Sequence, residues 1–201
     1  MAMNSCGDYA VCHEIRQAIA ANRPEDLQRI VSRVAQFSFK HPTDNGVEFA
    51  DNMFECIIEA MTTSHFQRMT GADALLVLFE YDWSMLTVSQ RATLLTTIEA
   101  TYAHFNDSNS CFVLAELLGE YFCNRQAFEC LVRLTSVQPD HARALTAHGF
   151  RQFAGTSADT RLKALCLARL KKLAEDKSPT VRQEAIEALR HIDSVPPIPN
   201  K

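Results

Sequence analysis

The sequence predicts an all-α fold, about ten helices stacked as antiparallel pairs, and three observations carry that expectation. Apolar residues recur at steps of three and four along most of the chain. Proline and Asn/Asp clusters interrupt that rhythm roughly every 12 to 20 residues, the length of an ordinary globular helix. No segment sustains period-two alternation with β-branched enrichment, and 6 glycines in 201 residues are too few for the tight turns of an all-β fold.

The elements follow in order. Ile15 and Ile19 mark a first helix that stops at Asn22-Arg23-Pro24. Pro24 opens the next, with Glu25 and Asp26 complementing its N-terminus and Leu27, Ile30, Val31 and Val34 on one face. His41 to Gly46 reads as a loop. A long helix is expected from about Val47 to Thr62, its apolar side carrying Phe49, Met53, Phe54, Ile57, Ile58 and Met61. Thr70-Gly71-Ala72-Asp73 looks like a cap for Ala74 to Glu80. Thr87 or Ser89 caps a helix through Ala103, with Leu94, Leu95, Ile98 and Tyr102 inward. Asn106 to Ser110 is a loop before the apolar segment Phe112 to Phe122. Further helices carry Phe128, Leu131, Val132 and Leu134, then Ala144, Leu145 and Phe150, then Leu162, Leu165, Leu170 and Leu173, and finally Val181, Ala185, Ile186 and Leu189. Residues 1–195 are read as a single helical-repeat domain, and 196–201, with three prolines, as a disordered tail.

The last third contains an echo. Leu131, Leu134, Pro139, Arg143, Phe150 and Phe153 reappear as Leu170, Leu173, Pro179, Arg182, Leu189 and Ile192, about 39 or 40 residues on. The second copy contains Asp176-Lys-Ser-Pro179-Thr-Val181-Arg182, then Ala185 and Leu189. It resembles the HEAT repeat, whose signature is an Asp-x-x-Pro turn followed by Val-Arg, with Ala and Leu at helical spacing. The resemblance is strong over Thr160 to Ile192, extends to about Ala127, and implies a HEAT-like α-solenoid, irregular at its N-terminal end. It also implies that Arg182 braces the turn rather than meeting a ligand.

Charge is unevenly placed. The net −4 conceals +1 over residues 1–43, −10 over 44–120 and +5 over 121–201. In the middle section twelve acidic residues face only Arg68 and Arg91. Glu48, Asp51, Glu55 and Glu59 fall at steps of three and four, which stacks them on one helix face. Like charges so placed destabilise an isolated helix by a few tenths of a kcal/mol each, and no Lys or Arg lies between Val47 and His65. The strip is either a solvated face balanced by a neighbouring helix or a surface offered to a basic partner. Glu116 and Glu120, one turn apart, are candidates to extend it. So is Glu80-Tyr81-Asp82-Trp83, which sets the only Trp beside two acids and a Tyr. Trp and Tyr are frequent interface anchors, although a lone Trp at a helix end is more often a seam residue.

Several chemistries find no support. No nucleophile elbow, zinc-protease, P-loop or dinucleotide-binding run is present, so no catalytic residue, cofactor or metal is assigned. The seven cysteines contain no Cys-x-x-Cys pair; Cys6 and Cys12-His13 lack a second ligand pair at zinc spacing. Cys56, Cys123, Cys130 and Cys166 sit at helical spacing among apolar residues, as reduced small hydrophobes do. His141 and His148 could share a face, without a third ligand at suitable spacing. No apolar run is long enough to span a membrane and the first residues lack a secretory profile, so the expected location is cytoplasmic. Nucleic-acid binding through the basic C-terminal segment is disfavoured by its modest excess of charge, the absence of aromatic interleaving and the adjoining acidic block.

The segment Ala142 to Phe150, together with the repeat that follows, resembles the C-terminal part of bacterial immunity proteins from polymorphic-toxin and contact-dependent inhibition systems. That resemblance implies a non-catalytic protein that occludes the active site of a cognate toxin. A toxin that attacks nucleic acid is often basic, which would suit the acidic middle section centred on Asp51, Glu55 and Glu59. The competing reading is a general HEAT-like scaffold or adaptor; an enzyme or a nucleic-acid-binding protein is less favoured.

Overall fold

A computed structural model describes residues 5–40, 46–81, 83–137 and 139–194, with side chains placed for 11–33, 53–81, 83–137 and 139–192. The described residues are helical, with no β-strand among them. They cluster into two compact units, residues 1–113 and 114–201.

In the first unit, α1 (Ser5–Ala20) ends where Asn22 turns left-handed at φ 53°. There the Asn22 and Arg23 N–H groups reach back to the carbonyls of Ile19 and Ala18, at 3.0 and 2.9 Å. α2 (Pro24–Lys40) starts as expected, with Pro24 in its first turn and Glu25 and Asp26 behind it. α3 spans Gly46–Met61 and α4 is the single turn Ser64–Gln67, capped by Thr63. α1 packs on both α2 and α3. Ile15, Leu27, Ile57 and Met61 are fully buried in this unit.

The helix expected from Ala74 to Glu80 is instead two single turns, α5 (Asp73–Leu76) and α6 (Leu78–Tyr81), broken at Val77. No side chain caps α5: the buried, already helical Ala72 occupies the cap position, and the chain enters through Gly71 at φ 85°. A Cβ on Gly71 would also lie 2.9 Å from the Pro24 Cβ, so the turn needs glycine for two reasons. Leu75, Leu76, Leu78 and Phe79 are all buried, and a segment apolar on every side presents no single face to hold one helix straight. A 3₁₀ turn follows at Trp83–Met85.

Thr87 caps α7 (Val88–Thr101) with a reciprocal capping box, its hydroxyl accepting from the Gln90 N–H and the Gln90 side chain accepting from the Thr87 N–H. α7 buries Leu94, Leu95 and Ile98, then tightens into a 3₁₀ turn at Tyr102–His104. Asp107 caps the start of α8 (Ser108–Glu116) through the N–H and hydroxyl of Ser110. Edge-to-face pairs Phe54–Phe79 and Phe66–Phe105 lie in the core of this unit.

In the second unit the chain beyond Glu116 widens into a π-helical segment, Leu117–Phe122, which ends at Cys123 in a left-handed conformation. α9 (Arg125–Leu134), α10 (Asp140–Thr156), α11 (Thr160–Leu173) and α12 (Pro179–Ser194) follow. Asn124 caps α9, and the Asp159 carboxylate caps α11 by accepting from the N–H groups of Arg161 and Leu162. α10 is the hub, packed against α9, α11, α12 and the π segment. The backbones of Gly119 and Gly149 meet closely there: a Cβ on Gly119 would fall 2.2 Å from the Gly149 carbonyl oxygen. Phe128 sits edge-on to both Phe150 and Phe153 in the core.

The two copies of the sequence echo brace their turns alike. The Arg143 guanidinium donates to the carbonyl of Val137 and that of Arg182 to the carbonyl of Asp176, each six residues back. Arg143 is buried, 3% exposed, and also contacts the carboxylates of Asp140 and Asp176. Asp176 accepts the Ser178 N–H as well, closing the turn before Pro179. Burial costs this arginine its hydration, and two carboxylates and a carbonyl replace it.

Candidate functional site

α3 turns Met53, Phe54, Cys56, Ile57, Ala60 and Met61 inward, which forces Glu55 and Glu59 onto its exposed face. Helical spacing fixes that division, because a face three or four residues wide cannot be buried on both sides at once. Ile58, expected inside, is half-buried at the boundary. Glu59 is not unopposed: Arg16 of α1, 43 residues away in sequence, donates to it at 2.5 Å. Both side chains remain open to solvent, 58% and 62% exposed, so the pair forms in a high dielectric and is exchangeable. Glu55 has no ion pair or hydrogen bond to another described side chain. Glu48 and Asp51 lie in α3, and their side chains are outside the described residues, as is the whole of Asp82.

The Glu80–Trp83 segment divides. Glu80 is half-buried and Tyr81 projects into solvent, 62% exposed. Trp83 is half-buried as a seam residue: Arg91 lies over its ring at 4.8 Å from the centroid and donates to its carbonyl at 2.8 Å. Met85 and Val88, which the sequence did not single out, are exposed beside it in the chain.

Glu116 and Glu120 belong to the second unit. Glu116, at the end of α8, is half-buried and accepts a long hydrogen bond from Gln152 at 3.4 Å. Burial raises its pKa above the ordinary carboxylate value, and the charge of Glu120 adds to that shift; Gln152 and Arg151 oppose it. Glu120 is exposed within the π segment.

Between α1 and α3 lies a recess of about 440 Å³, lined by Arg16, Ile19, Ala20, Cys56, Glu59, Ala60, Thr63 and His65. Small residues at 20, 56 and 60 leave the space, and the Arg16–Glu59 pair stands among its lining residues. A smaller recess of about 290 Å³ between α1 and α2 is lined with charge: Arg33 pairs with Glu14, and Arg23 and Arg29 both pair with Asp26.

The cysteines with described side chains are thiols that form no disulfide; Cys12, Cys56, Cys111, Cys130 and Cys166 are buried, and burial pushes the thiols of Cys56, Cys111 and Cys166 up to about 12. Cys123 departs from the expected apolar setting. It ends the π segment with φ 39°, is half-exposed, and meets the Thr156 hydroxyl at 3.3 Å. His148 is buried in α10 beside Arg151, and desolvation lowers its pKa to about 4. No group of three or more His, Cys, Asp or Glu side chains that could hold a metal occurs among the described residues. No helix among them is long and apolar enough to cross a membrane.

Comparison with protein-family models, with curated proteins and with solved structures finds no match for the chain.

Proposed function

We propose that this chain is a non-catalytic protein-binding module, a HEAT-like stack of antiparallel helix pairs whose acidic α3 face seats a basic partner. The observation that carries the proposal is the solvent-facing pair Glu55 and Glu59, the first without a cation among the described residues and the second paired with an exposed arginine. An acidic row of this kind speeds association with a basic surface and selects among partners more than it adds affinity. The shared six-residue reach of Arg143 and Arg182 supports the repeat reading of the C-terminal half. With the resemblance of residues 142–192 to bacterial immunity proteins, the particular function proposed is neutralisation of a cognate basic toxin domain in the cytoplasm, by covering its active site.

The test compares wild type with the triple variant Asp51→Lys/Glu55→Lys/Glu59→Lys in capture from lysate, followed by titration of the purified partner. The expected result is one basic protein, held by the wild type, released as salt rises and lost from the triple variant. Restoration of growth to cells expressing that partner would establish immunity. A partner retained by the triple variant would remove α3 from the interface. An acidic or neutral partner insensitive to salt would favour a general scaffold.

A further inference from the structure

We infer that the α1–α3 recess is the seat for an aliphatic side chain that the basic partner carries next to a cationic one. The inference rests on the reading of α3 as the binding face and names the chemistry that face selects. Three features converge. The volume, about 440 Å³, lies in the range of true ligand recesses, about 300–1,000 Å³. Ile19, Ala20, Cys56 and Ala60 supply apolar surface, and Ile19, Cys56 and Ala60 are themselves buried. Glu59 stands at the recess with Glu55 one turn behind it on the exposed face of α3.

The occupant follows from complementarity. An apolar residue alone would leave Glu59 unused, and a lone cation would leave the apolar surface wet. An aliphatic residue flanked by Lys or Arg satisfies both. Arg16 is the intramolecular competitor: it holds the Glu59 carboxylate until the partner's cation displaces it. Because the Arg16–Glu59 pair is exposed, that exchange trades one solvated pair for another at little cost. The first unit carries fourteen acidic against seven basic residues, a net −7, so the surrounding field favours the incoming cation.

The probe is a set of three capped tetrapeptides, Lys-Leu-Leu-Lys, Glu-Leu-Leu-Glu and Lys-Ser-Ser-Lys, titrated into the isotope-labelled full chain. Only Lys-Leu-Leu-Lys should give saturable shifts at the methyls of Ile19, Ala20 and Ala60. Glu59→Gln should weaken it about threefold, and Arg16→Ala should tighten it by about the same factor. Those opposite signs separate the proposal from general damage to the fold. Ala20→Trp fills the recess from an exposed position and should abolish the shifts while leaving the helical signal intact. Equal binding of Glu-Leu-Leu-Glu, or shifts that map elsewhere, would overturn the inference. Concentration-dependent shifts of the same methyls without peptide would assign the recess to a second copy of the chain and overturn it equally. The two readings fail separately. A captured partner lost from the triple variant but bound normally by Ala20→Trp, with no peptide shifts, sinks the recess and leaves the acidic face standing. Peptide binding without any basic partner in the lysate does the reverse.

Discussion

The two units use the same residue types for different ends. In residues 114–201, net +3, two arginines are turned inward on the chain: Arg143 is buried against two carboxylates and a carbonyl, and Arg182 closes the turn before α12. In residues 1–113, net −7, ion pairs such as Arg16–Glu59 and Arg33–Glu14 lie in solvent, and acids outnumber bases two to one. A buried charge commits its partner groups to one geometry, while an exposed one can be exchanged for a partner's. The contrast lies between particular groups: Arg143 and Arg182 are occupied with structure, whereas Arg16–Glu59 and Arg33–Glu14 are open to exchange, as Arg125–Glu129 is in the second unit.

The sharpest test of rigidity in the second unit is Gly119→Ala. A Cβ there would lie 2.2 Å from the Gly149 carbonyl oxygen, and backbone on both sides cannot give way as a side-chain tip can. The expected loss is about 3 kcal/mol or more, read by urea unfolding followed by circular dichroism. Gly155→Ala is the control: a Cβ there meets nothing within 4 Å, and the better helix former should stabilise α10 by up to about 1 kcal/mol. Equal effects at the two positions would mean that the close approach of π segment and α10 is not what holds this unit together.

That contact also marks the boundary of what the sequence could reveal. The turn residues of the echo are local, so Pro139, Pro179 and the two arginines showed in the spacing, while the bracing role of Arg182 was what the HEAT resemblance implied. Pro24 announced its helix start for the same reason, and so did the Thr87–Ser89 pair, of which the structure uses Thr87 as the cap. The Gly119–Gly149 approach joins residues 30 apart, and neither glycine stands in a turn pattern. Leu117 to Phe122 reads only as part of the apolar segment Phe112 to Phe122, and nothing local signals the wider π turn. The acidic spacing on α3 was legible, but Arg16, which tempers Glu59, reaches it from another helix. The α1–α3 recess was invisible because it is made of what is missing: three small residues, on two helices, each unremarkable in its own segment.

Acid should weaken the second unit through His148. Burial lowers its pKa from 6.5 to about 4, so the folded chain holds this imidazole neutral where the unfolded chain protonates it. The stability is therefore fully present above pH 6.5 and is lost as pH falls toward 4, by about 2 to 3 kcal/mol. Glu116 runs the other way: its raised pKa gives a contribution that is present below the ordinary carboxylate pKa of 4.5 and disappears as pH rises through its folded value. Comparing unfolding of wild type and His148→Gln at pH 7 and pH 5 isolates the histidine. An unchanged pH slope in the variant would show that His148 is not the group responsible.

Arg143→Met comes next, at about 2 kcal/mol. The variant keeps much of the side-chain volume but strips the Val137 carbonyl and Asp176 of a donor, and Asp176 is itself largely buried. Arg182→Met should cost about half as much, since Arg182 is only half-buried and makes its described bonds to carbonyls alone. Parity between them would argue that the two turns are braced equally and that burial does not set the difference.

The smallest effect on stability belongs to the pair that matters most for binding. Glu59→Gln and Arg16→Ala should each change the unfolding free energy by less than about 0.5 kcal/mol, because both side chains are more than half exposed and water replaces each lost partner. The same two substitutions should move affinity for a basic partner in opposite directions: Glu59→Gln removes the acceptor, and Arg16→Ala removes the competitor. A double variant should then bind no more tightly than Glu59→Gln alone, because with the carboxylate gone there is nothing left for Arg16 to mask. If Arg16→Ala instead weakens binding as Glu59→Gln does, the pair is part of the binding surface as a unit, and the exchange of one cation for another is not the mechanism.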